Sequence, residues 1–538
     1  MPCKAWDLLA QGAPNGAAFF YRLNSKKKPR QMGRLCGIAK PKAAIVLMQM
    51  GRLCGIAKPK AAIVLKELRF YVSMQGPSWY SELVDRRDQM WPCWSWHQNV
   101  TVKKAIFTGA TNGFRIKSRA RRSTGFIGGV RFIGDAINNV TNPATIDEHQ
   151  YCRQNPNCPI SLNINISSAK TSYNVLTYGA RPNGKTDSTQ AFLDAWTAAC
   201  GSTDPTMIYI PKGRYLLGSV AFTGGNCKSP DITIRIDGTL IAPEDYRILG
   251  RASNWLSFER VSGVSIVGGA LDAKGSPLWD CKSKGSNCPA GATTLSFVNS
   301  NNIKINGLLS LNSQMFHIVI NGCHNVQVQG VRVIAAGDSP NTDGIHVQLS
   351  TDVVIMNSSI KTGDDCISIG PGTKNLWIER VRCGPGHGIS IGSLAKSMDE
   401  PGVQNVTVKS TIFTGTTNGF RIKSWARHST GFVQAIRFIG ATMINVQNPI
   451  IIDQNYCPHN LNCPNQVSGI QISDVIYQGI RGTSATPVAI KFDCSFKYPC
   501  KGITLQNVNL TYLNKEARST CTNAIGRISG QVQPDNCL

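Results

Sequence analysis

The chain is 538 residues long, enough for several average domains or for one large all-β unit with a deep core. Its formal charge of +26 suits polyanionic partners, and nucleic acid, anionic membranes and acidic polysaccharides meet that description equally. No apolar run is long enough for a transmembrane helix, and 19 cysteines without a recurring C-x-x-C spacing point away from cytosolic zinc sites and toward an oxidising compartment.

In chain order, residues 1–98 read as a poorly structured basic extension. Residues 1–160 hold 25 Lys and Arg against 8 Asp and Glu, a net +17, whereas residues 161–538 hold 32 against 23, a net +9. Within the extension QMGRLCGIAKPKAAIVL at 31–47 recurs letter for letter at 49–65, an identity without drift that marks a recent copy rather than a selected module. The opening MPCKAWDLLAQGAPNGAAFF has no charged start followed by an apolar stretch and a small-residue cleavage site, so a secretory leader is not evident. The basic run SKKKPR belongs to no recognisable nucleic-acid-binding fold, and a nucleic-acid partner is not expected.

Residues 99–160 form the second segment. NVTVKKAIFTGATNGFRIKSRARRSTGF from Asn99 matches NVTVKSTIFTGTTNGFRIKSWARHSTGF from Asn405 at a constant offset, and the likeness continues to Cys158 against Cys463. This is a partial duplicate of 405–463. It is short for a solenoid, which needs at least about three stacked units to bury a core, so loose order is the expectation.

Residues 161–538 carry a different periodicity. NNIKING, HNVQVQG, TDVVIMN, KNLWIER and QNVTVKS place Asn302, Asn325, Asp352, Asn375 and Asn405 at spacings of 23, 27, 23 and 30. Each unit offers short Val- and Ile-rich strands bounded by Gly and Asn. A unit of this length is too small for a propeller blade or a sandwich, and the pattern of a leucine-rich repeat is absent. The fold class is therefore all-β, a parallel β-helix whose coils stack about 4.7–4.9 Å apart. QAFLDAWTAAC at 190–200 is the one helical stretch, with Phe192, Leu193, Trp196 and Ala199 on one side, and is expected to close the first coil. Asn165, Asn357, Asn405 and Asn509 each open an N-x-S/T triplet, a weak sign of secretion.

Stacking turns sequence separation into proximity. Asp343 in SPNTDGI and Asp364 in TGDDCISI are 21 residues apart, close to one coil, and Asp365 lies beside the second. Like charges so placed oppose joint ionisation, so at least one carboxyl is expected to hold a proton near neutral pH. Hydrolysis of a glycosidic bond needs such a pair, one acid to protonate the leaving oxygen and one base to activate water. Calcium ligation or a turn-capping Asp/Asn ladder would use the same residues. His387 in CGPGHGISIGS follows Asp364 by 23 residues, which sets an imidazole beside the acids unless it is only a turn residue between Gly386 and Gly388. Arg421 and Lys423 in FRIKSW share one strand face, either solvated or placed to hold a substrate carboxylate.

SPNTDGI, GDDCISI, GPGHGISIGS and RIKSW, in that order, resemble the four signatures of the polygalacturonases, glycoside hydrolase family 28, with the plant members most alike. YNVLTYGARPNGKTDSTQAFLDAW at 173–196 resembles the start of their mature domain, so the likeness covers about 173–538. The resemblance implies a right-handed, pectin-lyase-like parallel β-helix and hydrolysis of α-1,4 bonds between galacturonic acid units of pectin, with inversion. It implies Asp364 as general acid, Asp343 and Asp365 as activators of water, and His387 as support for the acid. Substrate binding would fall to Arg421, Lys423, Tyr456 and Asn341. No metal and no organic cofactor are implied; the partner is homogalacturonan, with no nucleic acid and no membrane, for a secreted, cell-wall monomer.

Inversion generally requires about 6.5–9.5 Å between acid and base, which neighbouring coils with a slant across the cleft are expected to supply. Two departures stand out, Ala395 in GSLA where the family usually has Gly and Ser424 in RIKS where Thr is common. A positive φ at Ala395 would strain that turn. The resemblance also implies the cysteine pairs 366–383, 457–463, 494–500, 281–288, 521–537 and 200–227, leaving Cys323 over. In the N-terminal copy Arg115, Lys117 and Tyr151 match the gripping residues, but no NTD, GDD or GHG precedes them. A clamp without carboxylates performs no acid–base chemistry, so one active site is expected. Two other readings stay open: a pectin-binding homologue without activity, and a β-helix pectate lyase.

Overall fold

The computed structural model describes residues 170–538, apart from 286, 459, 460 and 536, together with six short strands between 101 and 147. The expectation for residues 1–98 lies outside the described residues. The chain divides into two compact units, Met1–Ser167 and Ser168–Leu538.

In the second unit nearly every strand pairs in parallel with its equivalent one coil later. One ladder is an 11-stranded sheet running in strict chain order from Val220–Thr223 to Arg518–Thr522; the remaining strands join into a 23-stranded sheet that wraps the other faces. The alternation read from the sequence sets which side chains go in. In Asn301–Asn306, His324–Gln329 and Lys374–Glu379 the Ile, Val or Leu at the third position and the Ile or Val at the fifth are buried, and the flanking polar residues are not. Stacked coil on coil, Ile318, Ile345, Ile367, Ile389, Phe420, Ile450 and Ile490 form one inward file of the core. Burial of each such side chain contributes about 1.5–3 kcal/mol before entropy is counted.

The periodic Asn marks a corner. Asn302, Asn325, Asp352, Asn375 and Asn405 all have φ between 54 and 56°, the left-handed region that Asn and Asp enter at lowest cost after Gly. Their side chains bond along the axis, Asn325 Nδ2 to Asn302 Oδ1 at 2.7 Å, Asn375 Nδ2 to Asp352 Oδ1 at 2.9 Å and Asn405 Nδ2 to Asn375 Oδ1 at 2.8 Å. The ladder thus satisfies its own polar groups at a turn that repeats once per coil.

Helix Thr189–Gly201 covers the first coils, burying Phe192, Ala195, Trp196 and Ala199. Trp196 packs on Phe222 and Phe258, and its Nε1–H donates to the Thr223 carbonyl at 3.0 Å. All six expected disulfides form, and Cys323 is free and buried. It stands in the file of Ser300, Ser350 and Thr373, where its thiol faces the Phe297 carbonyl at 3.4 Å in place of a hydroxyl.

The first unit, for which loose order is the expectation, includes six short strands. Thr101–Lys103, Ile106–Thr108 and Asn112–Lys117 pair in parallel with Arg131–Ile133, Ala136–Asn138 and Asn142–Asp147, the pattern of two stacked coils. The duplicated letters keep the strand periodicity of 405–463, and that periodicity suffices for pairing.

Candidate active site

The 11-stranded sheet presents one row of side chains outward at each coil. Strand pairing aligns His346, Ser368, Ser390 and Arg421 in one line along the axis, and carries Lys423 on the next outward position of strand Asn418–Trp425. The acids lie just before these strands, where the chain turns into the sheet. Ile345 pairs with Ile367, and Gly344 N–H donates to the Asp365 carbonyl at 2.9 Å, so Asp343 stacks on Asp365 and Asp364 stands one position earlier. The coil neighbour of Asp343 is thus Asp365, a one-residue correction to the spacing argument.

Buried hydroxyls fix the two acidic turns against each other. Ser339 Oγ and Thr342 Oγ1 lie 2.6 Å apart, Thr342 Oγ1 and Thr362 Oγ1 also 2.6 Å, and Gly363 N–H donates to Ser339 Oγ at 3.2 Å. A Cβ at Gly363 would meet the Ser339 backbone at 2.3 Å, which explains the glycine of TGDD. Gly386 and Gly388 have φ of 150 and 90°, and a Cβ on Gly388 would lie 2.2 Å from the Asn418 carbonyl oxygen. They let neighbouring backbone approach around His387.

His387 Nδ1 lies 3.1 Å from Asp364 Oδ1, and its backbone N–H donates to the Asp364 carbonyl at 2.7 Å. The same Oδ1 accepts the Asp365 N–H at 2.7 Å. Asp365 is 1% exposed and fully engaged. Its Oδ1 accepts Ser390 Oγ–H at 2.6 Å and Arg421 Nη2–H at 2.8 Å, and its Oδ2 accepts Lys423 Nζ–H at 2.9 Å. Arg421 Nε also donates to Ser390 Oγ at 3.0 Å. The Tyr456 ring stands 5.2 Å from Lys423 Nζ and 5.9 Å from Arg421 Cζ, and Trp425 meets its edge at 5.4 Å between centroids. Asn341 is exposed at the turn before Asp343 with φ 56°, apart from the hydrogen bonds that join the other residues.

Two adjacent buried carboxyls are driven in opposite directions. Burial opposes the charge of Asp365, but Lys423 and then Arg421 outweigh it and hold the group at about 2. Asp343 also is buried, and with Asp364 and Asp365 as its charged neighbours its carboxyl rises well above the usual range. Of these two, Asp343 is the one that keeps a proton the more readily, with burial as the first cause and like charge the second. Burial likewise depresses the His346 imidazole to about 4, keeping it neutral beside Ser368, whose Oγ is 2.8 Å from His346 Nδ1.

Asp364, Asp365 and His387 each offer a ligand atom, all within 4.8 Å of one another, a spacing a metal could use. Two cations already paired to Asp365 oppose a third charge of that sign there. The same figure bears on the acid–base gap. One ligand oxygen of Asp364 and one of Asp365 lie within 4.8 Å of each other, a nearest-atom distance distinct from the about 6.5–9.5 Å between carboxyl groups that inverting pairs generally show.

Sequence reasoning missed Ser390, Ser368 and His346. Each lies in a quoted motif or next to one, and the signal was register: once Ile345, Ile367 and Ile389 are aligned, these three fall on the rung of Arg421. Ala395 has φ 62°, the positive value that strains a residue other than Gly or Asn. In the N-terminal copy Arg115 and Lys117 lie on strand Asn112–Lys117, whereas Tyr151 is outside the described residues.

Glycosyl hydrolases family 28 matches residues 94–174 and 200–530. A "Polygalacturonase" of Prunus persica is 62% identical over 378 residues, covering 70% of this chain and 96% of that protein. An "Exopolygalacturonase" of Platanus acerifolia is 43% identical over 376 residues, covering 69% and 98%. Endo-xylogalacturonan hydrolase from Aspergillus tubingensis superposes with a TM-score of 0.60 at 24% identity, over 68% of this chain and 99% of that one. Polygalacturonase from Erwinia carotovora ssp. carotovora gives 0.54 at 23%, over 67% and 97%. The architecture is the right-handed parallel β-helix of these structures, and the chain belongs to family 28 of the glycosyl hydrolases.

Proposed function

We propose that this protein is a polygalacturonase, hydrolysing α-1,4 bonds between galacturonic acid units of pectin. The observation that carries the reading is the convergence of Asp364, Asp365, an imidazole and two cations on one stretch of sheet, joined by contacts of 2.6–3.1 Å, with Asp343 stacked on Asp365 one coil earlier. Asp364, supported by His387, protonates the glycosidic oxygen. Asp343 orients the attacking water and Asp365 takes its proton. Arg421 and Lys423 grip a uronate carboxylate beside the Tyr456 ring, and Asn341 meets the chain from the rim.

Arg421 and Lys423 are already paired to Asp365, yet each uses only part of its donor set there. A substrate carboxylate that shares these donors weakens their hold on Asp365. Binding therefore raises the basicity of Asp365 when a proton must be accepted. The same pairing speaks for inversion. A carboxylate buried under Ser390, Arg421 and Lys423 is a poor nucleophile for an anomeric carbon, which leaves water to attack.

The experiment is release of reducing ends from polygalacturonate by the wild type and Asp364→Asn. The variant is expected to lose about 10²–10⁴-fold in kcat while still binding the polymer; activity near wild type removes the assigned acid. Ultraviolet absorbance of the product separates hydrolysis from a lyase, which leaves an unsaturated uronate, and chelation of calcium is expected to change nothing. Product sizes from a defined oligogalacturonide decide between internal and terminal cleavage. The disulfides and the plant relatives agree with an extracellular, cell-wall protein, and no helix among the described residues is long and apolar enough to cross a membrane. We infer a monomer acting on the wall polysaccharide, without nucleic acid.

A further inference from the structure

Resting on the polygalacturonase reading, we propose that the rung beyond Arg421 and Lys423 selects an uncharged uronate, such as a methyl-esterified unit, through Asp453 and Ile451. Coils advance by about 4.7–4.9 Å, a length comparable to one 1,4-linked pyranose, so a chain lying along the axis sets successive sugars on successive rungs. Arg421 pairs with Ile451 and Lys423 with Asp453, on strand Asn448–Tyr456; these pair in turn with Lys491 and Asp493 on strand Val488–Asp493. Ile450 and Ile452 point into the core, which leaves Ile451 and Asp453 on the side that carries Arg421 and Lys423 one coil earlier.

The two rungs therefore differ in kind. The first offers two cations to a free carboxylate, and the second offers an aliphatic side chain and an acid. Asp453 is held in place, its Oδ1 accepting the Asn455 N–H at 3.0 Å, while Asn455 Nδ2 donates to Asp493 Oδ1 at 3.1 Å. One asparagine thus bonds both acids, one coil apart. Burial pushes the Asp453 carboxyl up, against the Asn455 N–H and Lys491, and the Asp493 charge adds to the rise. A free uronate carboxylate here brings a further negative charge against Asp453 and Asp493, with Lys491 on the rung beyond as a partial counterweight. An ester removes that charge, and its methyl group packs on Ile451.

The test compares two hexagalacturonates, one unesterified and one carrying a single methyl ester on the unit next beyond the one held by Arg421 and Lys423. For the wild type, kcat/KM is expected to be higher on the ester. Asp453→Asn keeps an oxygen for the Asn455 N–H and is expected to lower the ester-to-acid ratio about fivefold. Asp493→Asn leaves the Asp453 contact untouched and is expected to shift the ratio the same way, by less. An unchanged ratio in both variants overturns the proposal, and so does a parallel loss on both substrates, which would make Asp453 a general contact for the sugar. Wild-type failure on both hexamers would instead strike the polygalacturonase reading itself.

Discussion

Asp343 and Asp365 are the same residue type on adjacent coils, both buried, and their environments send them to opposite charge states. The difference lies in two cations, so stability and activity pull apart at these positions. For Asp365 the folded value of about 2 lies below the unfolded one, so its contribution is present above roughly pH 4 and is lost as pH falls through about 2. Lys423→Met removes one partner from a buried charge and is expected to cost about 3–5 kcal/mol in urea unfolding at pH 7. For Asp343 the sign reverses. Its folded value is raised, so holding it in the fold costs nothing below the unfolded value near 4 and costs progressively more as pH rises toward its folded value. Asp343→Asn should therefore raise stability at pH 7, with the gain vanishing below about pH 4, while reducing hydrolysis at least about 100-fold. Paired urea titrations at both pH values, with reducing-end assays, check all three outcomes. The sequence announced the acids, the imidazole and the two cations by motif. It did not announce which acid keeps the proton, because burial decides that, and burial follows from a register that a spacing of 21 or 23 residues leaves uncertain by one position.

At the scale of the strand and the coil, the periodic Asn was legible because its cause is local. A left-handed corner once per coil needs Asn, Asp or Gly, and the letters recur wherever the corner does. The same logic exposes one weak corner. Gln404 pairs with Gln434 and Val406 with Ile436, so the position after Asn405 in the ladder is Ala435, and the next is Asp474. Ala435 has φ 57° and brings neither the tolerance of Asn for that region nor a side chain to bond along the axis. Ala435→Asn is expected to stabilise the second unit by about 1 kcal/mol, measured by the urea midpoint at constant m. Ala435→Gly relieves the backbone alone and frees the unfolded chain, so it should gain less. Equal gains for the two would show that the ladder hydrogen bond contributes nothing here. The disulfides were reached through family likeness, and the helix through its apolar face at 3.6-residue spacing. The buried hydroxyl brace of Ser339, Thr342 and Thr362 was not legible, since serines and threonines in turns announce a cap far more often than a buried network.

Over the whole molecule, charge and chemistry are separated along the chain. The site residues and a continuous apolar core from Val175 to Ala517 belong to the unit Ser168–Leu538. Residues 161–167 carry no charged side chain, so the first unit keeps the net +17 of residues 1–160 and the second keeps +9. A polyanionic substrate therefore meets two basic units, of which the second alone has the full set of carboxyls. The first brings basic charge, which raises the local concentration of polymer, and no set of carboxyls of its own. The expected consequence is a split in kinetic constants. Residues 168–538 expressed alone should reach the kcat of the full chain within about twofold, because every group that meets the reacting bond is retained. At low ionic strength the full chain should show the lower KM for polygalacturonate, and the two should converge near 1 M salt, where the Debye length falls to about 3 Å. A kcat that collapses on truncation would mean that the duplicated coils support the site itself, and a KM advantage that survives 1 M salt would mean that they grip the polymer through specific contacts rather than through charge.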